Sequence, residues 1–261
     1  METAVVEAAR FLSSRAGERL KLADVADHVG YSPFHLARAF EARVGVPPGR
    51  FLAAHRFQLA KRLLIETDEK VVDVCFAAGF SSLGSFTSRF GSVVGTSPAA
   101  FRRLPDVLAD APPEPLTVPG RLEGGGTVSG RVVIAPSAAP VVGTVPLVYV
   151  GLFGRRAATG FPVSGALLAE PGEFVLSGVP PGLYFLLASA VPSRADVVEQ
   201  LLPAQSVVGG APEPVEVTAS SRRHRRDVLL DVQAQWWTPV LVALPRLASP
   251  GTQDWRSLRG S

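Results

Sequence analysis

Two short stretches of this chain carry side chains suited to gripping a phosphate or the edge of a base. In the first, Ser32, Pro33, Phe34, His35, Ala37 and Arg38 fall within seven residues. Arg38 follows His35 by three positions, so on a helix both occupy one face. There the planar guanidinium can take guanine O6 and N7 together, or a phosphate. His35 is either a base or phosphate contact or an exposed helix residue of no consequence, and Phe34 can pack on a thymine methyl or cap the core. The second stretch holds Ser82, Leu83, Ser85, Thr87, Ser88 and Arg89, with Gly84 among them. Arg89 is its only long cation, and short hydroxyls reach fewer base edges.

Helices must position these groups, and the sequence writes the instructions twice. Asp24, Val25, Ala26 and Gly30 recur 49 places on as Asp73, Val74, Cys75 and Gly79, and Phe40, Gly45, Pro48 and Phe51 recur 50 places on as Phe90, Gly95, Pro98 and Phe101. In the first copy Leu22, Val25, Ala26 and Val29 make one apolar stripe of a short helix. Gly30 ends it. Ser32 is a good N-cap and Pro33 fits the first helical position of a second helix, whose core positions are Leu36 and Phe40. The second copy uses Val71, Val74, Cys75 and Ala78 for the stripe, Gly79 for the turn, Ser81 as the expected N-cap, and Phe86 and Phe90 as core positions. Ser97 and Pro98 start one more short helix. Two helices joined by a tight glycine turn, with a small residue at the crossing, form a helix-turn-helix. Cys75, at the crossing, is expected to be a small buried hydrophobe.

Between the copies, residues 49–70 predict one long helix with Phe51, Leu52, Leu59, Ala60, Leu63 and Leu64 on its apolar face and Arg56, Lys61 and Arg62 elsewhere. Such a rod can hold two recognition helices for successive major grooves, about 34 Å apart, without a dimer. Residues 1–103 resemble the AraC/XylS-type DNA-binding domain. The resemblance is carried by "GYSPFHLARAF" with its following glycine, by Arg56, Ala60, Leu63 and Leu64, and by the pattern from Gly79 to Arg102. It implies that the twelve residues of the two stretches face double-stranded DNA. The second copy departs from the family's usual pattern, with Ser88 in place of the customary arginine and Gly91 in place of the lysine.

After Gly120 the composition turns to valine, glycine and proline. Short runs with partial period-two alternation, among them "GTVSGRVVIA", "VPLVYVGLF", "GEFVLSGV", "GLYFLLASAVP", "EPVEVTA" and "RDVLLDV", predict an antiparallel β-sandwich. Residues 120–233 resemble the carboxypeptidase regulatory-like or transthyretin-like sandwich, through "GEFVLSGVPPGLYFL" above all, which implies a structural or interaction module without a shared catalytic set. The expected organisation is therefore an all-α double helix-turn-helix domain over 1–105, an extended Pro-rich linker over 106–119, a β-sandwich over 120–245 and a disordered tail over 246–261. Arg222, Arg223, His224, Arg225 and Arg226 are expected in a solvated loop or, alternatively, at a phosphate. Trp236 and Trp237 are expected to pack in the interior.

Charge separates the halves. Residues 1–105 hold 14 Lys plus Arg against 10 Asp plus Glu, and the remainder 12 against 13, which places the basic surface a polyanion needs on the helical half. One cysteine and four scattered histidines, His28, His35, His55 and His224, rule out a cysteine-based metal cluster and show no metal-ligand spacing. Ser164, Ser177 and Ser206 lack a nearby histidine, and the glycines 124–126 lack the lysine of a phosphate loop. No cofactor, no catalysis and no membrane span are expected. The function so inferred is a cytoplasmic, DNA-binding transcription regulator whose β-domain meets a protein or a small molecule. Its rivals are an interaction protein with weakened DNA binding and a DNA-tethered enzyme.

Overall fold

The computed structural model describes residues 2–110, 113–157, 159–193, 196–234 and 237–247. They form two compact units: Met1–Arg103 with Ala234–Leu241, and Leu104–Gln233 with the chain from Val242 onward.

The first unit is helical: α1 (Glu2–Ser14), α2 (Leu22–Val29), α3 (Pro33–Val44), α4 (Pro48–Glu66), α5 (Val71–Ala77), α6 (Leu83–Val94) and α7 (Pro98–Arg102). Helix α1 buries Val5, Ala8, Ala9 and Leu12, the 3-1-3 spacing of one helical face. Helices α3 and α6 bury Leu36, Phe40 and Val44, and Phe86, Phe90 and Val94, each set four apart. Helix α4 supplies both cores. Its Phe51 ring packs 5.1 Å from Phe40, while its Phe57 ring lies 4.8 Å from Phe80 and 6.1 Å from Phe90. Cys75 is buried with a free thiol.

Two arginines tie this frame to backbone carbonyls. From α4, Arg56 donates through Nε to Ala16 O at 2.9 Å and through Nη2 to Glu18 O at 2.8 Å. From α7, Arg102 donates to Leu64 O at 3.1 Å and to Glu69 O. Both guanidiniums thus satisfy helix-end and loop carbonyls that no helix could.

The cation expected off the apolar face of α4 is inside. Lys61 is only 2% exposed, its Nζ making a long 3.5 Å hydrogen bond to Val240 O and lying 5.6 Å from the Phe101 ring centroid. The reason is a segment assigned from sequence to the β-domain: residues 234–241 belong to the helical unit. There His55 hydrogen-bonds to the Trp237 backbone. Trp237 itself is half-buried, so the expectation of burial is met in part. Trp236 lies outside the described residues, as does 248–261 of the expected tail; Leu244–Leu247 form a helical turn, α11.

The second unit opens with α8 (Leu104–Asp110), where an extended linker was expected. Leu104 and Leu108 are buried one turn apart, and Pro105 falls in the first turn, where its missing N–H costs nothing. Then follow β1 (Leu116–Val118), β2 (Gly126–Ile134), α9 (Ala139–Val142), β3 (Pro146–Phe153), β4 (Ser164–Leu168), β5 (Glu173–Val179), β6 (Gly182–Pro192), α10 (Val197–Leu201), β7 (Val207–Gly210), β8 (Val215–Val217), β9 (Arg223–Arg225) and β10 (Val228–Val232). Each quoted run contains a strand. The sandwich, however, is corrected to a single curled mixed sheet in the order β1-β4-β3-β6-β7-β10-β2-β5, with β8 on β6 and β9 on β2. Strand β10 is the joint. Val228–Leu230 pair parallel with β2, and Asp231 and Val232 pair antiparallel with β7, so what would be two sheets is hydrogen-bonded into one. Curling encloses a core that includes Val128, Leu152, Leu176, Leu186 and Leu230. The loop expected at the arginine run is strand β9, held parallel to β2 with Thr127 beside Arg223 and Ser129 beside Arg225.

Burial pushes the Lys61 amine down from its ordinary 10.5 to about 7, and the His55 imidazole from 6.5 to about 4. Between each pair of values the unfolded chain holds a proton the folded chain has shed, so stability rises with pH across both windows. The urea midpoint of the full chain should climb from pH 4 to 6.5 and again from pH 7 toward 10.5. Lys61→Met should abolish the upper climb and exceed wild type at pH 6. A parallel pH profile for the two proteins would contradict the buried-amine account.

Candidate nucleic-acid interface

Each recognition helix is aimed by the turn before it. At the first turn Gly30 takes φ +72° and at the second Gly79 takes φ +82°, a region closed to most side chains. The chain then closes back identically: Tyr31 N donates to Ala26 O at 2.9 Å, and Phe80 N to Cys75 O at 3.1 Å, the bond that seals a helix C-terminus. Only after this do the copies differ. Helix α3 starts at once behind its N-cap Ser32, whose hydroxyl accepts from His35 N. The N-cap of α6 is Ser82, accepting from Ser85 N, one residue later than the expected Ser81. Ser81 is therefore the inserted residue that lengthens the repeat offset from 49 to 50.

Of the twelve residues singled out from sequence, Ser32, Pro33, Phe34, His35 and Arg38 are exposed on α3 and its cap, and Ala37 is half-buried. Ser82, Leu83, Ser85, Thr87, Ser88 and Arg89 are all exposed on α6 and its cap. Phe34 does not cap the core: it is 66% exposed. Its ring meets His35 edge-on at 5.9 Å and lies 5.8 Å from the Arg38 guanidinium carbon. His35 Nδ1 is 2.8 Å from the Ser32 hydroxyl, leaving Nε2 without a protein partner among the described residues. Tyr31, His35, Arg38 and Ala39 line a shallow depression on this face. Arg38 makes no ion pair among the described residues, whereas Arg43, further along α3, is held by Glu2 at 3.1 Å. A cluster of aromatic, imidazole and guanidinium groups can stack and donate hydrogen bonds together.

Helix α6 offers a different surface. Arg89 is its sole Lys or Arg, and its guanidinium carbon lies 5.9 Å over the buried Phe57 ring. The rest of its exposed face is hydroxyls, Leu83 and the bare backbone at Gly84.

A helix-turn-helix domain family model matches residues 25–104. The HTH-type transcriptional activator AarP of Providencia stuartii is 38% identical over 84 residues, covering 32% of this chain and 62% of AarP. The "Probable transcription factor PqrA" of Proteus vulgaris is 35% identical over 92 residues, covering 34% of this chain and 75% of PqrA. The chain belongs to the AraC-type helix-turn-helix family. Among solved structures, a transcriptional regulator with an AraC-type DNA-binding domain from Chromobacterium violaceum shares 29% identity over 39% of this chain and 90% of that one, with a TM-score of 0.37. The chain spans less than two thirds of AarP, and the family model stops at residue 104, short of every strand.

One member of this AraC-type frame was singled out in sequence without its role. Arg56 carried the family resemblance, but its role as a brace was not visible there. Only its wide separation from Ala16 and Glu18 hid this, because no local pattern announces a contact across 40 residues. Among the described residues no helix is long and apolar enough to cross a membrane, and no group of three His, Cys, Asp or Glu is placed to hold a metal ion.

The two turn glycines differ in what surrounds them. A Cβ at Gly30 would meet nothing within 4 Å, whereas one at Gly79 would lie 2.9 Å from Arg56 Nε and 3.0 Å from Ala16 O and Gly17 O. Gly30→Ala should cost about 1–2 kcal/mol of left-handed strain, and Gly79→Ala clearly more, by urea unfolding. Equal losses would mean that the brace beneath the second turn yields freely.

Proposed function

We propose that this chain is a sequence-specific, double-stranded-DNA-binding transcription regulator that acts in the cytoplasm by binding alone. What carries the reading is the pair of exposed, N-capped helices α3 and α6, each behind a left-handed glycine and both seated on α4. The family's named relatives are regulators. The twelve residues, eleven of them exposed and Ala37 half-buried, are the DNA-facing set of this proposal. Arg38 is its base-reading residue, His35 and Phe34 its supports, and the hydroxyls of α6 with Arg89 its phosphate-directed part.

The β unit, in this reading, is an interaction or sensing module for a protein or a small molecule. Its resemblance to the carboxypeptidase regulatory-like sandwich rests on the phrase that becomes β5 and β6. Their connection is braced by the Tyr184 hydroxyl, which donates to Pro180 O at 3.0 Å. The parallel pairs β2–β9 and β2–β10 depart from an all-antiparallel sandwich. A second reading, an interaction protein with weakened DNA binding, is favoured by the short side chains of α6.

Site selection from a random duplex library separates the two readings. The full chain should select a lopsided site, information-rich under α3 and poor under α6, with affinity falling steeply as salt rises. Arg38→Ala should flatten base preference in one half-site, since a bidentate contact discriminates by about 1–3 kcal/mol. Arg89→Ala should weaken binding to all sequences about equally. Equal information in both half-sites would overturn this assignment, and no salt-sensitive binding at all would favour the interaction protein.

A further inference from the structure

The arginine run of the β unit takes no part in the proposal above, and the sheet sorts its members. Arg222 turns back to donate to Ala219 O at 3.0 Å, Arg226 donates to Arg225 O at 2.9 Å, and His224 Nε2 lies 3.0 Å from Ser221 O. Arg223 and Arg225 are exposed on β9. Register sets Arg223 beside Thr127 and Arg225 beside Ser129, while across β2 Ser129 faces Val175 and Arg131 faces Glu173. Gly126, Val128, Gly130 and Val132 are buried on the inner side of β2. By strand alternation Thr127, Ser129 and Arg131 therefore share the outer face with Arg223, Arg225 and, on β5, Ser177.

This face combines forks and hydroxyls around the exposed side chain of Val175. The hydroxyls of Thr127, Ser129 and Ser177 make no side-chain hydrogen bond among the described residues, and Arg223 makes no ion pair there. One carboxylate, Glu173, is shared by Arg131 at 3.0 Å and Arg225 at 3.3 Å, and Asp227 lies 3.7 Å from Arg225. Five arginines of this region, counting Arg222 and Arg226, thus stand against two carboxylates. Guanidinium forks beside hydroxyl donors match the geometry of phosphate oxygens, and alternate residues of a strand, about 6.6 Å apart, present such groups in a row.

We propose that the outer face of β9, β2 and β5 is a second phosphate-binding surface for duplex DNA, separate from the helical one, with Glu173 limiting its strength by holding Arg131 and Arg225. It rests on the reading of the chain as a DNA-binding protein. Charge complementarity to a phosphate backbone selects the occupant, and the paired carboxylates make the contact modest and salt-sensitive rather than tight.

The test uses the full chain and a random-sequence duplex, with anisotropy followed between about 50 and 200 mM salt. Arg223→Ser, which breaks no pair, should lower the slope of log affinity against log salt by about 0.9, the share of one phosphate contact. Glu173→Gln should raise affinity several-fold and steepen the slope, a gain that misfolding could not produce. Unchanged DNA binding in both variants overturns the proposal, as does a change seen only with phosphatidylserine vesicles. If both variants match a wild type that does bind DNA, the helical reading stands and only this face is excluded. A wild type that binds no duplex removes both.

Discussion

Helix α4 contributes to two hydrophobic cores at once, and the rest of the helical unit depends on that. Phe51 interlocks with Phe40 of the first helix-turn-helix, and Phe57 packs among Phe80, Phe86 and Phe90 of the second. These two anchors are six residues apart, about 9 Å along a continuous helix. Neither recognition helix can rotate without unpacking a ring from α4. Arg56 and Arg102 add a polar brace at each end, holding carbonyls of the α1–α2 and α4–α5 connections. A guanidinium suits this task because its several donors lie in one rigid plane.

On this shared frame the copies have diverged at the surface rather than in the core. Both keep the glycine turn, the serine cap and a phenylalanine of the second helix packed on one further along, Phe40 on Phe51 and Phe90 on Phe101, because those set the angle of the second helix. The exposed positions are free of that demand. Helix α3 carries Phe34 with its ring against both His35 and Arg38, whereas α6 carries hydroxyls and one arginine partly occupied with the Phe57 ring. The extra Ser81 enters after the first helix has been sealed, so it shifts the start of α6 without disturbing the crossing at Cys75.

In the β unit the corresponding constraint is β10. Its two halves answer to different neighbours, β2 on one half and β7 on the other, which converts two groups of strands into a curled sheet. The break between β9 and β10 is stabilised where Asp227 Oδ1 accepts from Arg131 N at 2.9 Å. At this point Gly130 is required, for a Cβ there would lie 1.9 Å from Arg226 O. The same closeness of β2 to residues 223–232 places Arg223 and Arg225 beside the hydroxyls of β2.

The helical half was legible in sequence because its signals are local. Apolar spacing, a glycine at each turn and a Ser-Pro start each operate within one or two turns of helix, so α2, α3, α5, α6 and α7 follow from neighbouring residues. The surface placement of Arg38 and of the α6 hydroxyls agrees with the same periodicity, while Ala37 is half-buried. Strand existence in the second half was legible too, in six runs of alternating apolar residues, but strand pairing was not. Hydrogen bonding between strands is settled by segments far apart in the chain, and Val228 cannot announce that it will lie parallel to Val132. Only tertiary structure decided that the arginine run is a strand and that Phe34 faces solvent. It also decided that Lys61 loses its water to residues 179 positions away, because burial depends on what returns to cover a surface.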